Sequence, residues 1–236
     1  MGFWWPHNGD GVVEPARRLI GNRWTLVGAI LYLLEWVAIA GFNAGNTPTT
    51  FLKPDAVVAI YTAHGRGVAA SASWFSLVLL GRVLFAAGIR DSLKRSEART
   101  LLADFAVSAM AVSVALEIAA YALTGAAGQV ARAGDPSVVA GLDAAGSWLD
   151  VMIFAPLGLS ILAAAAAQLQ SGLFPRWMSW LGIVSGVASA AIGLAIGPAL
   201  AAGPGPYMQV QALSAVTLGF WVWMLATGIL LFRRTP

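Results

Sequence analysis

Apolar residues in this chain gather in long unbroken runs rather than on alternating faces. Six stretches, about 24–43, 68–89, 101–124, 148–170, 177–199 and 209–232, are apolar nearly throughout. At about 1.5 Å of rise per residue, a helix of about 20 residues crosses the ~30 Å hydrocarbon core of a bilayer. The pattern therefore predicts an all-α polytopic membrane protein with six transmembrane helices arranged as three hairpins. Little chain is left between the runs, so residues 1–236 read as a single helical membrane domain, with 177–232 as the third hairpin.

Composition agrees. The chain is 58% hydrophobic and 11% charged, where a soluble domain carries about a quarter of its residues as charges. It has no cysteine, which excludes disulfides and thiolate metal sites. The opening segment "MGFWWPHNGDGVVEPARR" lacks a basic stretch followed directly by an apolar one, so it does not read as a cleaved signal peptide. Residues 1–23 are expected to be a cytoplasmic or interfacial segment, with Trp4 and Trp5 at the membrane surface.

The cations orient the spans. Arg17, Arg18 and Arg23 precede span 1; Arg90, Lys94, Arg95 and Arg99 lie between spans 2 and 3. Arg176 precedes span 5, and Arg233 and Arg234 follow span 6. All of these fall on one side, and only Lys53, Arg66 and Arg132 on the other. The positive-inside rule then puts both termini in the cytoplasm. The net charge of +3 thus reflects topology and points to no nucleic-acid partner.

The two long outer loops resemble each other: "KPDAVVAIY" (53–61) and "DPSVVAGLD" (135–143) each set a proline where the first turn of a helix favours it. They are expected to form two short interfacial helices roofing the bundle. Eighty-two residues separate Pro54 from Pro136 and also Glu35, in "LEWVA", from Glu117, in "LEIAA". Residues 24–90 and 101–170 therefore read as parallel repeats. Span 5 carries Gly182, Ser185, Gly186, Ser189, Gly193 and Gly197. Such small residues let helices approach closely, inside the chain or in a homo-oligomer.

Several pieces resemble the uncharacterised six-helix membrane proteins of actinobacteria in the DUF4386 family. They are "DAVVAIYTAHG" (55–65), "IRDSLKRSEA" (89–98), "DPSVVAGLDAAG" (135–146), "FPRWMSWLGIVSG" (174–186) and the terminal "LLFRR" (230–234). The resemblance covers most of the chain through loose motifs. It implies a multi-pass protein of the bacterial cytoplasmic (inner) membrane, and supplies no activity or catalytic residues. Spans 1 and 3 are plain aliphatic in that pattern, so Glu35 and Glu117 depart from it.

Ionisable groups at membrane depth cost about 2.5–3.5 kcal/mol each even on the lenient scale, and usually face the bundle interior with a partner. Five are candidates: Glu35, Arg82, Asp104, Glu117 and Asp150. Asp104 suits the first turn of span 3, near Arg99. Asp150 in "SWLD" suits a capping box with Ser147 as N-cap, at the mouth of whatever the outer half encloses. Counting helical rise, Glu35 and Arg82 differ in depth by about 6 Å, so an ion pair between them is expected. Glu117 is then left without an obvious cation.

Helical spacing groups Glu35 with Tyr32, Ile39 and Phe42, with Trp36 adjoining. It groups Glu117 with Met110, Ser113 and Tyr121, and Arg82 with Ser71 and Phe75. The expected site is an aromatic-lined carboxylate pocket. Glu35, Glu117, Arg82 and Asp150 are its reactive groups; Tyr32, Trp36, Phe75, Ser113, Tyr121 and Trp148 are its walls. No metal ligand set, glycine-rich phosphate loop, Gly-x-Ser-x-Gly elbow or His-Glu-x-x-His motif occurs, and no cofactor is expected. His7 lies in the tail, and His64 is expected to cap the first roof helix. No lysine lies in a span core, which excludes a retinal Schiff base.

Three functions suit these residues. The first is intramembrane acid catalysis on a lipid-soluble, isoprenoid-like molecule, as in a protonation-initiated terpene cyclase or isomerase. Glu117 would be the acid and Glu35 its counterpart, or the reverse. The second is a proton- or cation-coupled carrier, for which Pro156 offers the only interior interruption of a span. The third is a non-catalytic binding or assembly protein whose buried charges lock helices together. Membrane lipids and a hydrophobic small molecule are the expected partners, and the first reading alone names residues with distinct tasks.

Overall fold

The computed structural model describes residues 18–41, 51–132 and 135–235. The described residues are helical with no strand. The helices are α1 (Arg23–Leu33), α2 (Glu35–Gly41), α3 (Pro54–Val78), α4 (Leu80–Arg95) and α5 (Leu101–Val130). They continue as α6 (Pro136–Met152), α7 (Phe154–Ser171), α8 (Arg176–Ala202), α9 (Pro204–Leu213) and α10 (Leu218–Arg233), with a 3-10 turn at Ser214–Thr217. These combine into six segments long and apolar enough to cross a membrane: Arg23–Ala40, Pro54–Arg95, Leu101–Val130, Pro136–Ser171, Arg176–Ala202 and Pro204–Arg233. Trp4, Trp5, His7 and Phe42 lie outside the described residues.

Three expectations about local structure are corrected. The roof helices are not separate elements. Pro54 and Pro136 do occupy the first turn, after Lys53 and Asp135 as N-caps, but each helix runs on into its span. The segment Pro54–Arg95 is 42 residues long, about 63 Å of helix at 1.5 Å per residue. "VVAIY" and "VVAGL" are good helix sequence without a breaker behind them, so propagation continues. For the same reason His64 is interior to α3 and caps nothing. Ser147 and Asp150 are interior to α6, so the capping box does not exist.

The spans are also less regular than their sequence suggests. Single turn residues at Leu34, Leu79 and Ile153 separate α1 from α2, α3 from α4 and α6 from α7. At Leu34 the carbonyl accepts the Trp74 indole N–H at 2.7 Å while Val37 N–H returns to it at 3.1 Å. At Ile153 the carbonyl takes the Ser113 hydroxyl at 3.2 Å. Pro156, which lacks the N–H that a helix would use, stands three residues on. Both carbonyls also accept backbone N–H groups, from Val37 at 3.1 Å and Leu157 at 3.0 Å, so the tryptophan and serine side chains are second partners at the two turns.

Packing between helices rests on backbone approach. A Cβ at Gly28 would stand 2.5 Å from Phe85 N, and one at Gly81 2.5 Å from Gly28 O, so α1 and α4 touch backbone to backbone. Small residues of α8 do the same against α7. A Cβ at Gly186 would meet Leu162 N at 2.5 Å, and one at Gly193 would meet Ala155 N at 2.5 Å. Ser185 and Ser189 are buried. Of the two roles read for this stripe, packing within the chain is the one observed; a Cβ at Gly197 would meet the Trp148 ring at 3.6 Å. Between α8 and α9 the chain reverses through Gly203 alone, at φ 117°, a conformation that a side chain would oppose.

One end of the bundle gathers three helix termini. The Asn22 side-chain oxygen caps α1 by accepting from Trp24 N–H at 2.8 Å, while its amide donates to Asp91 at 2.7 Å. Ile20 N–H donates to the Ser96 hydroxyl at 2.9 Å, and Gly21 N–H to the Arg234 carbonyl at 3.0 Å. The start of α1 and the ends of α4 and α10 therefore meet, bringing Arg18, Arg23, Lys94, Arg95, Arg233 and Arg234 to one end.

Candidate functional site

Trp223, fully buried on α10, marks the inner core. Its indole N–H donates to the Gln168 side-chain oxygen of α7 at 3.1 Å, and Phe85 of α4 meets it edge-on at 5.2 Å between centroids. Beyond this apolar plug, away from the cation-rich end, lie the charges.

Arg82 on α4 is fully buried and forms an ion pair with Glu117 of α5, through Nη2 and Oε2. The guanidinium also stands over the Tyr32 ring, 4.9 Å from its centroid, a favourable cation–π placement. Tyr32 is stacked on Trp221 of α10 at 4.2 Å and 7° between planes, and Phe220 lies 6.0 Å away. One arginine thus joins α1, α4, α5 and, through Tyr32, α10.

This corrects the expected pairing: Arg82 joins Glu117, not Glu35. Glu35 is the first residue of α2, just past the interruption at Leu34. It lies beside the Tyr32 phenol and within electrostatic reach of Glu117, Arg82 and Asp150. Its Oε2 is buried and accepts no hydrogen bond from the described residues. The carboxylate without a cation is therefore Glu35. Burying a polar atom unpaired costs about 1–3 kcal/mol, and more when it is charged; the carboxyl's side-chain hydrogen bond is with the Tyr32 phenol, and Oε2 has none.

The other expected site residues divide. Phe75 and Tyr121 stack at 4.1 Å and 8° across α3 and α5, on the layer of Ser71, whose hydroxyl is buried and unpaired among the described residues. Asp150 on α6 is close enough to feel Glu117 and Arg82. Ser113 is engaged by the Ile153 carbonyl, where it supports the interruption between α6 and α7 rather than facing a ligand. Trp36 is about half exposed and tilted against Trp221 at 6.0 Å; Trp148 is exposed and packs on α8 at Gly197, so it is no wall of this site. Asp104 is in the first turn of α5 as expected, but pairs with Arg90 instead of Arg99.

Two contributors went unread in the sequence, Trp221 and Trp74. The signal for the first was present: "FWVW" (220–223) places three aromatics in four residues, and such a cluster in one span must face something other than lipid on part of its surface.

The arrangement is chemically specific. A neutralised arginine–carboxylate pair, one further, partly buried carboxylate, a third acid and two phenols converge where three spans lose regularity, at Leu34, Leu79 and Ile153. Among the described residues no cluster of three or more metal-ligating side chains exists. No family model, curated protein or solved structure matches this chain.

Proposed function

We propose that this is a multi-pass membrane enzyme that uses Glu35 as a general acid inside the bilayer. Its substrate would be a lipid-soluble, isoprenoid-like molecule, and its reaction a protonation-initiated cyclisation or isomerisation. The observation that carries this reading is the buried, unpartnered Oε2 of Glu35 beside an arginine already committed to Glu117. Ionisable groups at membrane depth are rare because they are costly, and those retained usually serve function.

The chemistry balances without an external reagent. The Glu35 carboxylic acid gives its proton to one carbon of an alkene, whose π pair becomes the new C–H bond. A second double bond of the substrate attacks the resulting cation and closes the ring. A proton then leaves a neighbouring carbon for the Glu35 carboxylate, and its C–H pair becomes the product alkene. Arg82 and Glu117 together add no net charge, so the cation is not repelled by a free guanidinium. The Phe75–Tyr121 stack offers aromatic surface to the cation, and the phenols of Tyr32 and Tyr121 can relay the proton. Three hairpins with both termini in the cytoplasm follow from the cation distribution, and a bacterial inner membrane from the family resemblance.

A proton-coupled carrier is the second reading, favoured by one observation: the helix interruptions at Leu34, Leu79 and Ile153 lie near the charge cluster, as in transporters whose binding sites use broken helices.

The test is solvent deuterium. Purified protein in lipid nanodiscs would be incubated in D2O with linear polyprenyl alcohols. Mass spectrometry should find isomers carrying one carbon-bound deuteron, formed by wild type and not by Glu35→Gln. Absence of deuterated isomer with wild type, or formation undiminished in Glu35→Gln, overturns the proposal.

A further inference from the structure

We propose that a cleft lined by Thr62, His64, Arg66 and Arg132, at the end of the bundle remote from the cation-rich one, binds the phosphate of an anionic lipid headgroup. The cleft holds about 390 Å³, within the range of about 300–1,000 Å³ typical of small-molecule sites.

The fold builds it from two helices. Arg66 lies on α3 and Arg132 just beyond the end of α5. They meet because these helices close on two glycines: a Cβ at Gly65 would stand 3.3 Å from the Gly128 carbonyl and 3.9 Å from Arg132 Nη2. Behind the cleft, the Tyr61 hydroxyl donates to Asp143 at 2.6 Å, tying α3 to α6. The Thr62 hydroxyl reaches the Ala131 carbonyl at 3.4 Å. That contact covers part of the negative α5 C-terminus, which would otherwise oppose an anion.

Charge selects the ligand. Of the three cations that the sequence assigns to this end, two converge here beside a histidine. Among the described residues neither arginine enters an ion pair. The nearby acids have other partners: Asp143 takes the Tyr61 hydroxyl, and Asp135 takes the N–H and hydroxyl of Ser137. Two guanidinium groups sharing a cleft repel unless an anion sits between them, and their planar donor forks match phosphate oxygens.

Depth selects the source. The apolar run of the second span begins at residue 68, so Arg66 stands about 3 Å beyond it by helical rise. That is the level of the headgroup layer flanking the ~30 Å core.

Short-chain lipids below their micelle concentration provide the probe, with detergent-solubilised full-length protein and binding read from saturable thermal shifts. Dihexanoyl phosphatidylglycerol should bind wild type saturably. Each of Arg66→Gln and Arg132→Gln should weaken it about tenfold, the size of one charge-assisted hydrogen bond. Dihexanoyl phosphatidylcholine, whose choline opposes the arginines, should bind at least tenfold more weakly. Independently of any variant, phosphatidylglycerol should protect Arg66 and Arg132 of wild type from phenylglyoxal, mapped by mass spectrometry. If inorganic phosphate alone reproduces the shift and the protection, the phosphate site stands but its ligand is a soluble phosphate ester. Equal binding of both lipids, binding undiminished in the variants, or no protection overturns the proposal.

Discussion

Neutralising the two central glutamates one at a time should give opposite results. Arg82 is 1% exposed and the Glu117 side chain 7%, so this pair falls in the buried class, where removing one partner costs about 3–5 kcal/mol. Glu117→Gln strips the counter-charge from a cation that cannot reach water, leaving it the Tyr32 face and the more distant Glu35. Glu35→Gln removes a carboxylate whose Oε2 has no partner among the described residues, and an amide is cheaper to bury than a charge. In a chain of this size 1 kcal/mol corresponds to about 2–4 °C. Glu117→Gln should therefore lower the unfolding midpoint by about 6–20 °C, and Glu35→Gln should leave it unchanged or raise it. The assay is thermal unfolding of purified protein in one detergent, followed by tryptophan fluorescence at a fixed scan rate. Arg82→Gln combined with Glu117→Gln should recover part of the loss, because no buried charge is then stranded. If Glu35→Gln falls as far as Glu117→Gln, Glu35 is the working partner of Arg82 and the acid assignment fails with it.

Gly186→Ala drives a Cβ to within 2.5 Å of the Leu162 backbone nitrogen. Separating α7 from α8 should cost about 1–3 kcal/mol, measured as a lower midpoint in the same assay. Tyr61→Phe removes the 2.6 Å hydrogen bond to Asp143 and should cost about 1.5–3 kcal/mol, the range for bonds to charged groups. It should also accelerate amide exchange at the start of α6. Asp135 is held below the ordinary carboxylate value by hydrogen bonds from the Ser137 hydroxyl and N–H. A depressed folded pKa adds stability above the unfolded value, so this cap should be intact at neutral pH and lost as pH falls below about 4. Hydrogen exchange at residues 137–139, compared at pH 7 and pH 3 after correction for intrinsic rates, should show the loss, and Asp135→Ala should abolish the difference.

The sequence alone determined that the chain is helical and carries six membrane-length segments, because composition and run length suffice when lipid is the solvent. It also singled out four charged side chains at membrane depth. Glu35, Arg82, Glu117 and Asp150 stand out in apolar spans whatever their neighbours, and the structure brings them within reach of one another. Tertiary structure alone decided who pairs with whom. Counting rise gives depth but not direction around the helix axis, and the direction of Arg82 on α4 is toward Glu117 of α5. Arg82 therefore meets Glu117 at its own level on α5, and Glu35 is left over. Direction around the axis also explains the small-residue stripe of α8, in which Gly186 and Gly193 face α7. The cleft of Arg66 and Arg132 was invisible for a related reason: 66 residues apart in sequence, the two meet only because Gly65 and Gly128 let their helices close. Backbone contacts of that kind depend on which glycines face each other, which no single helix can encode.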